Sequence, residues 1–286
     1  MVEPSMTILI TGATGHLGTL VIDSLLAKGV PAEQIRAGAR NPQKIIAVPA
    51  VHLDYEDAAS VAAAVEGVEK VLLISASEPG NRDALHKTVI DAAAAAGVTQ
   101  LVYTSVLDAR DSALILAPEH KATEELIEAS GVPATILRNG WYTENYLGTL
   151  EQAKAGEIVT STGQGRVSSA ARKDYADAAV AVLTEPGHEN TVYELSGDSA
   201  WSFDEFAAAA GEVLGSPVAH RKLPADEHAA HLSAVGLDEG TVGFVVALDA
   251  NIRDGLLSAT SGDLGRLIGR PTTPLAQTLA QALAQG

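Results

Sequence analysis

The chain has 286 residues, of which 47% are hydrophobic and 19% charged, and its formal net charge is −17. This length allows one large domain or two smaller ones, while the acidic balance argues against a nucleic-acid partner and the lack of cysteine excludes disulfides and thiolate metal sites. No apolar stretch is long enough for a membrane span and no signal peptide is expected, so no membrane partner is predicted. The lack of cysteine fits a cytoplasmic protein.

A glycine-rich turn follows the first apolar run of the chain. Residues 7–11 are predicted to form a buried parallel strand, and apolar side chains recur at helical spacing after Gly18. Between them lies the sequence GATGHLG, residues 12–18. Glycines there allow a tight turn and a close approach to a pyrophosphate, to which the helix N-terminus offers N–H donors. The strand and helix on either side favour a dinucleotide site over an ordinary tight turn.

The second predicted strand, Gln34–Arg40, ends in a cation. An NAD-specific site would carry Asp or Glu about twenty residues after the glycines, for the ribose 2′-hydroxyl. Arg40 stands there instead, and Lys44 follows one helical turn later. A guanidinium suits a 2′-phosphate by charge and by bidentate hydrogen bonding, whereas the alternative is a solvated arginine at a strand end. The sequence therefore predicts NADP(H), and NAD(H) remains compatible with such a site.

Four more strands alternate with helices in the first half of the chain. They are predicted at Val51–Tyr55, Val71–Ser77, Leu101–Ser105 and Ala134–Arg138. This alternation predicts an α/β fold with a doubly wound parallel sheet that binds its ligand at the C-terminal strand ends. Asp54 lies at one such end and has two interpretations: it accepts a hydrogen bond from adenine, or it caps the following helix.

The pattern loosens beyond Tyr142, where helices and short strands alternate with Gly and Pro. A helix is predicted over Tyr142–Ala155. We expect a Rossmann domain of residues 1–155, with 167–186 packing back on it, and a smaller α/β substrate lobe of residues 156–166 and 187–286. The helices at 81–96 and 121–130 leave a homodimer open by fold analogy. The histidines lack a metal-ligand pattern, so no metal is predicted.

Several segments resemble a known family. The matching segments are ITGATGHLG at 10–18, ARNP at 39–42, YTS at 103–105, LRNGWYTENY at 137–146 and YELSGDSAW at 193–201. On these the chain resembles the NmrA-like atypical short-chain dehydrogenases, and among them the bacterial NADPH-dependent quinone oxidoreductases of type 2, over almost its whole length. The resemblance implies a Rossmann fold with a small C-terminal lobe, NADP(H), and hydride transfer from the nicotinamide to a quinone.

Individual residues receive roles from the strand ends and from this resemblance. The candidate cofactor residues are Gly12, Thr14, Gly15, His16, Leu17, Gly18, Arg40, Lys44, Asp54, Ser75, Ala76, Ser77, Thr104, Lys121, Asn139, Gly140, Trp141 and Tyr142. The candidate substrate residues are Ser77, Trp141, Tyr142, Asn145 and Tyr146. For Trp141 and Tyr146, packing of the lobe is an equal alternative.

The usual proton donor of the short-chain dehydrogenases is missing. These enzymes pair a serine with Tyr-x-x-x-Lys; here Ser105 and Lys121 fit two of the positions, but Ala117 stands where the tyrosine belongs. Hydride addition to a quinone gives a weakly basic anion that water can protonate, whereas a ketone gives an alkoxide that needs a proton donor. The sequence therefore favours a quinone or similar electron-poor acceptor, with Ser105, Lys121 and Tyr142 as catalytic candidates.

Two other functions remain open. A carbonyl reductase for ketones or aldehydes would need another proton donor, for which the candidates are Tyr142, Tyr146, His120 and Ser105. A non-catalytic, NADP-sensing regulator of the NmrA type would lack the tyrosine because it carries out no reduction.

Overall fold

The chain alternates strands and helices, and the structure, a computed structural model, describes residues 6–76 and 80–285. Its strands are β1 (Ile8–Ile10), β2 (Ile35–Ala39), β3 (Ala50–His52), β4 (Lys70–Leu73), β5 (Gln100–Val106), β6 (Ala134–Asn139), β7 (Glu157–Thr160), β8 (Arg166–Val167), β9 (Thr191–Leu195), β10 (Trp201–Ser202) and β11 (Ala219–Lys222). Its helices are α1 (His16–Ala27), α2 (Ala58–Val65), α3 (Arg82–Ala96), α4 (Ala117–Ser130), α5 (Leu147–Ala153), α6 (Arg172–Thr184), α7 (Phe203–Leu214), α8 (Ala225–Ala234), α9 (Glu239–Arg253), α10 (Asp263–Ile268) and α11 (Leu275–Gln285).

A seven-stranded sheet has the order β3-β2-β1-β4-β5-β6-β9. Its first six strands pair in parallel, as the crossover helices between them require. The strand order reverses between β1 and β4, which opens a crevice at the carboxyl ends of these strands where such sheets bind ligands. The predicted Rossmann-type α/β fold with a doubly wound parallel sheet is confirmed.

The chain divides into two compact units. The first comprises the described residues up to Arg110 together with Leu116–Asn139 and Arg172–Glu194, and the second comprises Asp111–Ile115, Gly140–Ala171 and the described residues from Leu195 onward. The predicted boundaries differ from this division. Residues 140–155 belong to the second unit because α5 and the turn before it pack on α7 and α11, and residues 187–194 belong to the first because β9 joins its sheet. Residues 172–184 form α6, which packs on α1 within the first unit.

The core of the first unit follows from apolar runs in the central strands. β5 is buried along its whole length, and α2, α3 and α4 pack their apolar side chains on the sheet beside it. The burial of these runs on both faces of the sheet explains why they lack the alternation of a half-exposed strand. Within the described residues, no helix combines the length and the apolarity needed to cross a membrane.

The second unit contains two small sheets and an aromatic cluster. β7 pairs with β11 in parallel, and β8 pairs with β10 antiparallel. The helix predicted over Tyr142–Ala155 is wrong at its start: Tyr142 is extended and bridges Ala170, a 3₁₀ turn covers Thr143–Tyr146, and only then does α5 begin. Pairing with Ala170 overrides the local helical preference, as tertiary contacts often do.

Candidate cofactor and active site

The turn between β1 and α1 has the form of a phosphate-binding loop. Gly12 adopts a φ of +57°, which other residues rarely tolerate. A Cβ atom on Gly18 would lie 2.4 Å from the Gly12 carbonyl oxygen and 2.8 Å from the Ala13 Cα, so only glycine lets α1 pack this closely on the loop. Gly15 is the N-cap of α1 and provides no side-chain cap. The first amide groups of α1 are therefore available as donors to an anion.

A cleft of about 380 Å³ lies at the C-terminal ends of β1 to β4. Its walls come from the glycine loop, from the residues that follow these strands and from the start of α3. The lining residues are Gly12, Thr14, Gly15, Ala39, Arg40, Leu53, Asp54, Tyr55, Glu56, Ile74, Ser75, Ala76, Asn81 and Leu85. The fold thus brings together seven of the residues predicted for the cofactor: Gly12, Thr14, Gly15, Arg40, Asp54, Ser75 and Ala76.

Other predicted cofactor residues of the first unit do not line this cleft. His16, Leu17 and Gly18 form the first turn of α1, and Lys44 is exposed at the end of a 3₁₀ turn after β2. Thr104 is buried on β5, where its Oγ1 accepts a hydrogen bond of 2.9 Å from the Ser75 amide. Thr104 therefore acts on the cleft through Ser75. Ser77 lies outside the described residues.

Asp54 does not cap the helix after β3. Asp57 is the N-cap of α2, and its carboxylate accepts hydrogen bonds from the amides of Ala59 and Ser60 at 3.0 and 3.3 Å. The capping interpretation of Asp54 is therefore wrong. Its side chain accepts from the Glu56 amide at 3.1 Å and lines the cleft, while its contact with adenine stays a prediction.

Several lining residues were not predicted from the sequence. Asn81 and Leu85 come from the start of α3, where they lie one turn apart on the same face. Leu53 and Glu56 flank the predicted strand-end residues. Their selection would have required knowing which strand ends lie next to each other in the sheet. The Tyr55 hydroxyl lies 2.5 Å from Thr11 Oγ1 and 2.9 Å from the Ile74 carbonyl oxygen.

Ser105, the predicted catalytic serine, belongs to a buried charge network. Its hydroxyl donates to Glu124 Oε1 at 2.6 Å. Glu124 is 3% exposed, and Arg138 binds it with two hydrogen bonds of 2.9 and 2.7 Å. Arg138 also donates to Glu194 Oε1 at 2.7 Å. In this arrangement the proton of Ser105 is engaged by a carboxylate.

The charges of this network are strongly coupled. Burial by itself raises the pKa of Glu124, but hydrogen bonds from Arg138 and Ser105 outweigh this and hold the pKa below its usual range. Hydrogen bonding to Glu124 in turn raises the pKa of Arg138. Both side chains are therefore charged at neutral pH. The attraction between them offsets the free-energy cost of burying each charge.

The positions that correspond to the lysine and the tyrosine of the short-chain dehydrogenases both lie in the first two turns of α4. Lys121 is exposed, and its Nζ donates to the Arg110 carbonyl oxygen at 3.1 Å. Ala117, in the place of the usual tyrosine, is buried at the start of α4. Among residues 6–76 and 80–285, no three His, Asp or Glu side chains are grouped as metal ligands.

The predicted substrate segment lies in the second unit, directly after Asn139 at the end of β6. Trp141 and Tyr142 are half-buried, whereas Asn145 is exposed and Gly140 is buried. Tyr146 is 6% exposed and packs edge-on against Trp201 and Phe203, with ring centroids 5.0 and 5.5 Å away. Burial and the charge of Asp249 raise the pKa of Tyr146. This placement favours the packing interpretation of Tyr146, and the substrate roles of the segment stay predictions.

Two buried histidines lie in the first unit. Burial lowers the pKa of His86 to about 3, with Arg82 and His120 contributing. Burial and the charge of Arg82 lower the pKa of His120 to about 3 as well, against the opposing charge of Glu124. His120 hydrogen-bonds to the Tyr103 hydroxyl at 2.8 Å, and burial raises the pKa of that phenol. Both imidazoles are neutral at pH 7.

These histidines make stability dependent on pH. In the folded state both have a pKa of about 3, below the ordinary value near 6.5, so the unfolded chain binds more protons between these limits. The contribution of these histidines to the free energy of unfolding is complete above pH 6.5 and is lost as the pH falls. From pH 7 to pH 5, the free energy of unfolding should drop by about 2 kcal/mol for each histidine. Urea unfolding at the two pH values checks this, and equal stability at both would contradict it.

The family of the chain follows from comparison with known proteins. The model of the NAD(P)H-binding family matches residues 12–186, which include the glycine loop and every residue that lines the cleft. The chain belongs to the NAD(P)H-binding family. Over 279 residues it is 46% identical to quinone oxidoreductase 2 of Escherichia coli strain K12, and the alignment covers 96% of this chain and 97% of that protein.

Two solved structures share the fold of this chain. The crystal structure of an NADPH-dependent quinone oxidoreductase from Escherichia coli complexed with NADPH has a TM-score of 0.92 and 45% identity, and it covers 97% of this chain and 100% of that one. The triphenylmethane reductase of Citrobacter sp. complexed with NADP(H) has a TM-score of 0.92 and 40% identity, with the same coverage. The predicted resemblance is confirmed.

The cofactor prediction is confirmed by the same findings, which support NADP(H). The cleft fits this cofactor on its own geometry. α1 presents its first amides as donors beside a glycine loop in which Gly12 has a positive φ and Gly18 lets the helix pack closely on the loop backbone. Among the described residues that line the cleft, Arg40 is the only cation, as a 2′-phosphate requires. Acceptance of NAD(H) stays a prediction.

Proposed function

We propose that this protein is an NADPH-dependent oxidoreductase that reduces a quinone or a similar electron-poor acceptor. The observation that carries the proposal is the full-length relationship, at 46% identity, to a quinone oxidoreductase, on a chain that has the NADP(H) cleft. The cleft accounts for binding of the cofactor. The hydrogen bonds of Ser105 help to decide which class of acceptor the protein reduces.

Each part of the cleft has a separate task. NADPH, when bound, supplies the hydride. The amides at the start of α1 and the glycine loop hold its pyrophosphate, and Arg40 holds the 2′-phosphate by charge-assisted hydrogen bonds. Ser75 and Ala76 form a wall whose backbone is fixed by side chains of neighbouring strands and helices. A fixed wall orients a bound cofactor without further reorganisation when the hydride is transferred.

The surroundings of the predicted proton donors support a quinone as the acceptor. Ala117 has no proton to give, Ser105 donates its proton to Glu124, and Lys121 is bound to a backbone carbonyl. A ketone reductase needs an acid matched to a developing alkoxide, whereas the anion of a reduced quinone is protonated by water. An enzyme whose Ser and Lys are engaged in this way is suited to the acceptor that needs no tuned acid.

Acceptor preference tests this proposal. Steady-state NADPH oxidation with a panel of benzoquinones and naphthoquinones should give kcat/KM values about 100-fold or more above those with aryl ketones, because general acid catalysis contributes a factor of this order. Aryl ketones that equal the quinones would favour the carbonyl reductase. NADP(H) binding without turnover of either class would favour the regulator.

The catalytic role predicted for Ser105 has its own test. We expect Ser105→Ala to keep the kcat for a quinone within about 3-fold of that of the unchanged protein. The Ser105 hydroxyl donates its hydrogen bond to Glu124, and reduction of a quinone needs little acid catalysis. Ser130→Ala, which removes another hydroxyl of the first unit, is the matched control. A 100-fold loss of kcat confined to the Ser105 variant would instead establish Ser105 as the proton donor.

Further expectations concern partners and location. The charge of −17 supports the proposal that the protein works without nucleic acid, and the lack of cysteine in the sequence supports the proposal of a cytoplasmic location. The homodimer through α3 and α4 stays a prediction.

A further inference from the structure

The segment Ile74–Ala76, which follows β4, forms one wall of the cofactor cleft. Side chains of neighbouring strands hold its first two amides: Ile74 N–H donates to Thr11 Oγ1 at 3.0 Å, and Ser75 N–H donates to Thr104 Oγ1 at 2.9 Å. Ala76, the last described residue of the wall, is held differently. Both of its backbone polar groups bind side chains of α3.

Two residues of α3 make these bonds. The Ala76 amide donates to His86 Nε2 at 2.9 Å, and Arg82 Nε donates to the Ala76 carbonyl oxygen at 2.9 Å. Arg82 and His86 are four residues apart, so they project from the same face of the helix. Both are buried: His86 is 0% exposed and Arg82 6%. A buried imidazole and a buried guanidinium therefore bind the backbone amide and carbonyl of the same residue, Ala76.

Two residues of α4 support this pair from behind. His86 Nδ1 lies 3.0 Å from Thr123 Oγ1, and that hydroxyl donates to the Glu119 carbonyl oxygen at 3.0 Å. Arg82 Nη1 lies 3.1 Å from Glu119 Oε2. We call Arg82, His86, Glu119 and Thr123 the Ala76 clamp.

The clamp fixes the tautomer of His86. Because Nε2 accepts from the Ala76 amide, the ring proton is on Nδ1 and is donated to Thr123. A neutral imidazole is the state that supplies an acceptor on one side and a donor on the other. An apolar side chain at position 86 would leave the buried amide of Ala76 without a partner, and such a group moves or pairs elsewhere.

We infer that His86 is a positioning residue for the cofactor: through Ala76 it sets the wall of the cleft, and thereby the affinity for NADPH. His86 acts through the backbone of Ala76, whose neighbours Ile74 and Ser75 line the same cleft. The inference deepens the proposed function and rests on it for the turnover readouts, whereas its binding readout needs only the cofactor.

The test is calorimetric titration of NADPH, without acceptor, into the full-length protein and its variants. His86→Leu removes the acceptor and should raise the Kd about ten-fold. His86→Gln places an amide oxygen near the position of Nε2 and should restore the Kd to within about 3-fold of the unchanged protein. His120→Leu is the matched control, because His120 is also a buried histidine of the same unit but bonds to Tyr103 instead of the cleft wall. Its Kd should stay within about 2-fold.

Kinetics separate positioning from general damage. In His86→Leu the KM for NADPH should rise about ten-fold while kcat and the KM for a quinone stay within about 2-fold. An unchanged NADPH Kd in a folded His86→Leu protein would overturn the inference, as would an equal loss in His120→Leu. If His86→Leu does not fold, Thr123→Val decides: a Kd raised about 3-fold supports the clamp and an unchanged Kd refutes it. A raised NADPH Kd in a protein without quinone turnover would contradict only the proposed function.

Discussion

Replacement of Arg40 by alanine is expected to weaken NADPH binding about 30-fold and to leave NADH binding almost unchanged. Arg40 stands at the C-terminal end of β2 and is the only cation among the described residues that line the cleft. A hydrogen-bonded pair with a charged group contributes about 2 kcal/mol, which corresponds to this factor. The Kd values of both cofactors, measured for the unchanged protein and for Arg40→Ala, check the expectation.

Two further variants sharpen this experiment. Arg40→Lys keeps the charge but loses the bidentate geometry, so we expect an intermediate NADPH affinity. Lys44→Ala removes an exposed cation that does not line the cleft, and its effect on NADPH should stay within about 3-fold. Equal losses of NADPH and NADH affinity in Arg40→Ala would show that Arg40 acts on something that the two cofactors share, and the assignment to the 2′-phosphate would be wrong.

The second large effect is on stability. Glu124→Ala should lower the free energy of unfolding by about 3 kcal/mol, because it leaves the buried guanidinium of Arg138 without the carboxylate that binds it twice. The remaining partner of Arg138 in the network, Glu194, is half-buried and binds one nitrogen only. Chemical unfolding of the two proteins at pH 7 measures the difference.

Glu128→Ala provides the matched control. Glu128 lies one turn further along α4 and binds Arg110 at 2.7 Å, but its side chain is 68% exposed. Exposed pairs of this kind contribute at most about 1 kcal/mol. A loss below this limit in Glu124→Ala, or equal losses in the two variants, would mean that the Glu124–Arg138 pair is no more important than a surface ion pair.

The cofactor half of the site could be predicted from sequence because its signals are local. The glycine loop joins a strand to a helix within a few residues, and Arg40 ends the next strand, so spacing alone identifies them. The strand ends Asp54, Ser75 and Ala76 followed from topology, since parallel strands finish at one edge. Each of these residues lines the observed cleft.

The hydrogen-bond network around Ser105 could not be predicted in the same way, because the residues that it joins are distant in sequence. Ser105 and Glu124 are 19 residues apart, and Arg138 reaches Glu194 across 56. No sequence motif selects Glu124, whereas the resemblance makes Ser105 a catalytic candidate. Only the packing of α4 against β5 and β6 reveals that the serine binds a buried carboxylate.

The unit boundaries were missed for a related reason. The segment 140–155 follows β6 directly and its sequence favours a helix over Tyr142–Ala155, so the sequence places it in the Rossmann domain. Its placement is decided by pairing of Tyr142 with Ala170 and by the aromatic contacts of Tyr146, both of which are tertiary. Local propensity predicted a helix there, and these contacts prevail over it.

The most direct test of quinone reductase activity is the stoichiometry of quinone reduction by the unchanged protein. NADPH consumption and hydroquinone formation should be followed together, without oxygen, in the presence of a benzoquinone. We expect catalytic turnover with one hydroquinone formed for each NADPH consumed, and a lower KM for NADPH than for NADH. NADPH binding without any hydroquinone above the uncatalysed background, across a panel of quinones, would contradict it.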